Sequence, residues 1–274
     1  MGEKQFTYGV FTKPWPKKNL DELGEFISGL GFDGIEYPLR PGYPVTPDNL
    51  QDLPKAVETL AKYNVKIDSI AGPTDERTIA ACAEAGIPII RICCGGGPDG
   101  YVAAEKELIK GFEKLVPALD KHGVAIGVQN HCGDNLANAC GMIHVLEKFD
   151  PKHICAVWDA GHAGIEGQHP RVEIDIIYPY LRMVNLKNPF WYRTNHPEAR
   201  WAEWSIHWTT GRHGQGNWPA VAEELKKRGW SGPLCLTAEY SDHDRVDELI
   251  TEDICFAKQL FDDQCCSKSG CCNG

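Results

Sequence analysis

Short apolar runs alternate along the whole chain with stretches whose apolar residues recur every three or four positions. The runs begin near Phe6, Gly34, Val65, Ile87, Val124, Ile154, Met183 and Gly232. Runs of this length, bounded by turns, predict buried strands. The stretches between them predict amphipathic helices over Leu20–Leu30, Leu53–Tyr63, Glu76–Ala85, Tyr101–Lys121, Leu136–Phe149, Arg171–Leu181, Trp218–Arg228 and Val246–Phe261. Gly31, Gly86, Gly123 and Gly229 each stand just before a strand, where a left-handed residue closes the preceding helix. Eight strand–helix units in ~250 residues is the arithmetic of a (β/α)8 TIM barrel. A doubly wound sheet also alternates strand and helix. However, the first turn, Thr12-Lys13-Pro14-Trp15-Pro16, is not a glycine-rich phosphate loop. The reading is one α/β barrel domain over residues 1–263, followed by a cysteine-rich tail over 264–274.

Four of the predicted strands end abruptly in polar groups. Val124–Val128 runs into Gln129-Asn130-His131, and Ile154–Trp158 into Asp159-Ala160-Gly161-His162. Met183-Val184 runs into Asn185-Leu186-Lys187-Asn188, and Leu234–Ala238 into Glu239-Tyr240. Burying carboxylates and amides costs free energy unless they find partners. Their recurrence at one end of successive strands therefore implies a shared site, at the barrel face where such enzymes work. Strand alternation puts His131 on the face of Gln129, and Lys187 on that of Asn185. The connection from Asn188 to Trp218 is too long for a plain turn and holds four of the eight tryptophans, among them Trp191. A loop of that kind is usually functional, and here it is expected to cover a substrate.

Charge and composition narrow the partners. The net charge of -10 and pI near 5.5 argue against nucleic acid, which needs a basic face. No apolar stretch reaches membrane-spanning length. Residues 1–5 lead straight into a strand with no apolar leader, so a cytoplasmic location is expected. Of 12 cysteines, several sit inside apolar runs as small hydrophobes, while Cys265-Cys266 and Cys271-Cys272 fall in the tail. The spacing of the tail pairs matches no zinc module; a flexible, redox-reactive tail is the expectation.

At these clusters the chain resembles the sugar phosphate isomerase/epimerase superfamily, the xylose isomerase-like barrels related to type-IV AP endonucleases. The resemblance is carried by Gly31-Phe32-Asp33-Gly34-Ile35-Glu36, Val128-Gln129-Asn130-His131, Asp159-Ala160-Gly161-His162 and Val184-Asn185-Leu186-Lys187-Asn188. It continues through Gly214-Gln215-Gly216-Asn217-Trp218 and Gly232-Pro233-Leu234 to Glu239-Tyr240. It implies a divalent metal at the strand ends, with Gln129 where Glu is usual, Asp159, Asn185 where His is usual, and Glu239. Two carboxylates and two amide oxygens would suit Mg²⁺ or Mn²⁺ rather than zinc. His162 matches a substrate-binding histidine, and Lys187 the lysine of a His-x-Lys pattern.

The resemblance also implies an isomerase or epimerase acting on a sugar, keto-sugar or polyol. Gln129 cannot be a base, so a symmetrical two-base epimerisation is disfavoured. One-base enolisation remains, with Glu239 taking the proton and the metal, or His162 with Lys187, stabilising the enediolate. An inosose-type dehydratase or other β-eliminating lyase is the alternative, and a sugar-binding barrel without catalysis a further one. An abasic-site nuclease is a third class, disfavoured by the missing histidine clusters and the acidic charge. His131 or His213 could protonate a leaving hydroxyl; His131 could equally be a packed structural histidine. Glu36 and Arg91 are candidates for binding substrate, or for pairing with each other inside the barrel. Trp191 is the aromatic expected against the sugar. Barrels of this kind often pair, which leaves a homodimer open.

Overall fold

The computed structural model describes residues 5–262; the cysteine pairs of the tail lie outside them. Strands β1 (Phe6–Phe11), β2 (Gly34–Pro38), β3 (Lys66–Ala71), β4 (Ile89–Cys93), β5 (Ala125–Gln129), β6 (Ile154–Asp159) and β7 (Leu181–Leu186) come first in chain order. After the hairpin strands β8 (Asn188–Arg193) and β9 (Trp204–Thr209) comes β10 (Gly232–Leu236). Strands β1–β7 and β10 pair in parallel and close into an eight-stranded barrel, with β10 between β7 and β1. Helices α1 (Leu20–Leu30), α2 (Leu53–Ala61), α3 (Glu76–Glu84), α4 (Tyr101–His122) and α5 (Ala139–Leu146) cover its first half. α6 (Ala160–Ile165), α7 (Pro170–Ile177), α8 (Trp218–Lys227) and α9 (Val246–Phe261) cover the second.

Strand alternation divides the core in two. Val10, Ile35, Ile70, Ile90, Ile126 and Val184 point outward into the layer shared with the helices. Phe11, Ala71, Ile89, Val157, Met183 and Cys235 point inward and form a separate apolar plug in the barrel. Fully burying each large side chain contributes about 1.5–3 kcal/mol. Above the plug, the inward positions become polar: Glu36, Gln129, Asp159, Asn185 and Lys187 are all buried. The register sets Asp159 level with Asn185, and Asn185 level with Cys235.

The four expected helix-closing glycines all have positive φ, between 63° at Gly229 and 88° at Gly31. Differences from the periodicity have local causes. The helix expected to reach Leu181 stops at Ile177, because Pro179 in the following turn supplies no amide hydrogen, and β7 starts at Leu181 instead of Met183. Asn138 caps α5 by accepting from the Gly141 amide, so that helix begins at Ala139 rather than Leu136. The long aromatic connection is not a bare loop. β8 and β9 form an antiparallel hairpin in which Pro189 faces Trp208 and Trp191 faces Ile206. Asn188 ties its base down: its amide donates to the carbonyls of Thr210 and Gly211 and accepts from Gly216.

The Asp159–His162 segment approaches β7 so closely that a Cβ on Gly161 would lie 2.7 Å from the Lys187 backbone. Gly161→Ala is therefore expected to destabilise the protein by about 1–3 kcal/mol in urea unfolding. Gly111, in the middle of α4 with open space around it, is the control. Gly111→Ala should stabilise by about 0.5–1 kcal/mol.

Candidate active site

Asp159 ends β6 and caps α6, its Oδ1 accepting from the His162 amide at 3.0 Å. This cap fixes two groups at once, since it sets the carboxylate and places the imidazole on the first turn of α6. Neighbouring Asn130 continues the ladder between β5 and β6 with its side chain, accepting from the Asp159 amide at 2.7 Å and donating to its carbonyl at 3.0 Å. Gln129 Nε2 donates to Asp159 Oδ2 at 2.8 Å, and Gln129 Oε1 accepts from Cys93. Burial pushes the Asp159 carboxyl up to about 6, against the pull of Lys187 and of the His162 amide.

Glu239 reaches the same end of the barrel through a strained link. Ala238, before it, adopts φ 51°, a left-handed conformation that costs a non-glycine residue about 1–2 kcal/mol. Lys187 Nζ donates to Glu239 Oε2 at 2.8 Å, and Lys13, from the loop after β1, donates to Oε1. Burial pushes Glu239 up, but the two ammonium groups outweigh it and hold the carboxyl at about 2. Lys187 also stands 3.9 Å from the centroid of the Trp208 ring, a cation–π contact. Trp208 in turn meets His162 edge-on, with ring centroids 5.2 Å apart.

His162 is neutral. Its Nδ1 accepts from the Cys132 amide at 3.3 Å, which leaves the hydrogen on Nε2. Burial and the nearby positive charges, Lys187 first, keep its pKa far below the usual range. His131 stacks on it with ring centroids 3.9 Å apart, and burial lowers its pKa too. His131, Cys132 and His162 have their ligand atoms within 4.8 Å of one another, a His/Cys cluster at the barrel mouth.

The other expected positions separate. Glu36 and Arg91 pair with each other, Arg91 donating from Nε at 2.9 Å and from Nη2 at 2.6 Å. Of the two readings open for them, the ion pair inside the barrel is the one present, with Ser69 completing the Glu36 shell. Trp191 lies on β8 with its indole nitrogen donating to the Ile165 carbonyl, and His213 is exposed beside the Thr210 hydroxyl. Among the described residues, neither hydrogen-bonds to Asp159 or Glu239. Trp208, rather than Trp191, stands against Lys187, and Lys13 is a further contact of Glu239. Each carries a sequence signal: Lys13 sits just past the end of β1, and Trp208 lies in the tryptophan-rich segment.

The four positions expected to bind Mg²⁺ or Mn²⁺ are Gln129, Asp159, Asn185 and Glu239. As arranged, they do not fit a divalent ion. Gln129 turns its donor, not its oxygen, to Asp159. Glu239 is already neutralised by two ammonium groups. Only Asn185 is uncommitted, with neither amide oxygen nor nitrogen hydrogen-bonded although both are buried. That leaves one carboxylate for the ion, and a lysine beside it.

The family model described as xylose isomerase-like TIM barrel matches residues 25–260. The chain belongs to this family. Its solved relatives in fold include a D-allulose 3-epimerase from Methylomonas sp., 14% identical with a TM-score of 0.71, covering 94% of this chain and 98% of that one. The 3-keto-D-glucoside 4-epimerase YcjR of E. coli is 13% identical with a TM-score of 0.70, at 93% and 99% coverage. The probable 3-DHS dehydratase AsbF of Bacillus anthracis is 13% identical with a TM-score of 0.69, at 90% and 97%. At these identities the likeness establishes the fold. No curated protein matches the chain. Among the described residues, no helix is long and apolar enough to cross a membrane.

Asp159 gives the site a signature in stability. Its folded pKa of about 6 stands above its ordinary 3.8, so the native state holds the proton more tightly than the unfolded chain. Its contribution is therefore present at low pH and lost as pH rises from about 4 to about 6. In urea titrations, Asp159→Asn should gain relative to the parent at about pH 7, and the difference should shrink toward about pH 4.

Proposed function

We propose that the chain is an enzyme acting on a sugar, keto-sugar or polyol by proton abstraction next to a carbonyl, with isomerisation or epimerisation as the outcome. The observation that carries this reading is the Lys187–Glu239 pair, set between Trp208, His162 and the unpaired amide of Asn185. A carboxylate, an ammonium, a neutral imidazole and an aromatic face are the groups that enolisation of a carbohydrate requires.

Glu239 is the base in this scheme. While both lysines hold it, it is fully ionised but weak, with a carboxyl at about 2. A substrate carbonyl that draws Lys187 onto its own oxygen relieves the carboxylate of one cation. The base strengthens as the electrophile engages. The proton leaves the carbon next to the carbonyl for Glu239, the electron pair moves to the carbonyl oxygen, and the enediolate is held by Lys187 and by His162 Nε2–H. Transfer of the adjacent hydroxyl's proton to the enediolate oxygen, with return of the carbon-derived proton from Glu239 to the former carbonyl carbon, completes an isomerisation. His131, stacked on His162, is the nearest further proton carrier. Asp159, buried behind Gln129, orients rather than reacts.

A second reading is β-elimination, a dehydratase reaction. It is favoured by the single reactive carboxylate, since elimination needs one base while two-base epimerisation needs an acceptor on each face. A Mg²⁺ or Mn²⁺ ion on the four strand ends is not part of either reading, because Gln129, Asp159 and Glu239 are committed elsewhere and Asn185 alone is left open. The carbohydrate is the partner proposed; a homodimer and a cytoplasmic setting accord with such an enzyme.

Incubation with a panel of keto-sugars in deuterated water tests this. Deuterium should enter the carbon next to the carbonyl of at least one substrate, and Glu239→Gln should cut the rate by ~10²–10⁴-fold. Appearance of a conjugated enone would favour elimination instead. Binding of a sugar without exchange by the parent would leave a non-catalytic barrel as the better account.

A further inference from the structure

Asn185 lies on β7 and Lys187 directly follows its last residue, Leu186; both side chains are buried, and the spacing of two sets them on the same face. Asn185 is 1% exposed, and neither polar atom of its amide has a partner. Leaving a buried amide unpaired costs about 1–3 kcal/mol per group. A site tolerates that cost where a ligand will supply the missing partners. The amide offers one donor and one acceptor side by side, so the complementary ligand presents an acceptor and a donor side by side.

The ammonium is equally well defined. Lys187 is 8% exposed, held by Glu239 on one side and the Trp208 ring on another. Its nearest anionic partner is thus Glu239, one of the two carboxylates on which a divalent ion would depend. Lys13 adds a second positive charge to the same carboxylate. Bringing a doubly charged cation into this group would set it against two ammonium ions at short range, and Gln129 adds no negative charge in return. The electrostatic position of the ion is already filled.

We propose that Lys187 has replaced the divalent cation: its ammonium, together with the Asn185 amide, binds and polarises the substrate's keto–hydroxyl pair, and the enzyme works without metal. The carbonyl oxygen takes a hydrogen bond from Lys187 and from Asn185 Nδ2, and the adjacent hydroxyl donates to Asn185 Oδ1. When Glu239 removes the proton, the charge that appears on the oxygen is balanced by the ammonium, with no bond to nitrogen formed. This inference rests on the proton-abstraction reading above, but its metal arm can be read without any substrate.

The test uses the full chain. Free Mn²⁺ is followed by electron paramagnetic resonance as protein is added, a hard ion being chosen because the chain's thiols bind it poorly. The parent should leave the Mn²⁺ signal unchanged at millimolar ion, and its deuterium exchange should be unaffected by EDTA. Lys187→Met should lower exchange by ~10²-fold, the loss expected for one oxyanion donor. The double variant Gln129→Glu with Lys187→Met, folded by circular dichroism, should bind Mn²⁺, since it loses the ammonium and gains an anionic ligand. Stoichiometric Mn²⁺ binding by the parent, or exchange abolished by EDTA and restored by Mn²⁺, overturns the inference. So does a folded double variant that still ignores the ion, or borohydride trapping of a keto-sugar on Lys187, which would make its role covalent. If no keto-sugar exchanges with or without Mn²⁺ while the parent also fails to bind it, the reading of proton abstraction falls, and the catalytic part of this inference with it.

Discussion

The mouth of this barrel is organised around one carboxylate shared by two ammonium groups. Glu239 is held by Lys187 at 2.8 Å on Oε2 and by Lys13 on Oε1. Three strand ends are tied together by these contacts: β1 through the loop carrying Lys13, β7 through Lys187, and β10 through the strained turn at Ala238. A partly buried ion pair of this kind is weak evidence for stability, because desolvation offsets much of the attraction. Its significance lies in what it excludes and what it readies. In the proposed reaction it takes the negative charge that a metal would need, and it keeps the base ionised beside the electrophile.

The rest of the site supports that pair by fixing orientation. Asp159 is spent on holding Gln129 and the first turn of α6, and that turn places His162 against Trp208. Gly161 lets α6 pass against the Lys187 backbone, and Trp218 donates to the Lys187 carbonyl from the far side. The β8–β9 hairpin, anchored by Asn188, delivers Trp208 over the ammonium. Lower in the barrel Glu36 and Arg91 neutralise each other.

The architecture was legible because two periods, two and three-to-four, alternate without interruption, and because Gly31, Gly86, Gly123 and Gly229 mark where helices end. The polar strand ends were legible for the same reason: a buried strand that breaks into Gln129 or Asp159 advertises a place where burial is compensated. Pairings across the barrel were less so. Nothing local says that Lys13 meets Glu239, 226 positions away. Alternation along the strand could place Asn185 inward, yet only coordinates show its amide without partners. That Trp208 and not Trp191 meets Lys187 depends on the hairpin, whose two faces cannot be assigned until the strands are paired in register. Matching ligand positions to a family pattern likewise identified the residues at the strand ends but not the direction in which Gln129 turns its amide.

The central claim is that the charge on Glu239 is set by Lys187 and Lys13. An isotope-edited infrared titration of the Glu239 carboxyl, identified by its loss in Glu239→Gln, tests this most directly. The parent should show that carboxyl fully ionised at pH 4.5, the ordinary midpoint of a glutamate, and Lys187→Met should bring protonation up toward that value. A Glu239 half-protonated there in the parent, and indifferent to loss of Lys187, would contradict the account.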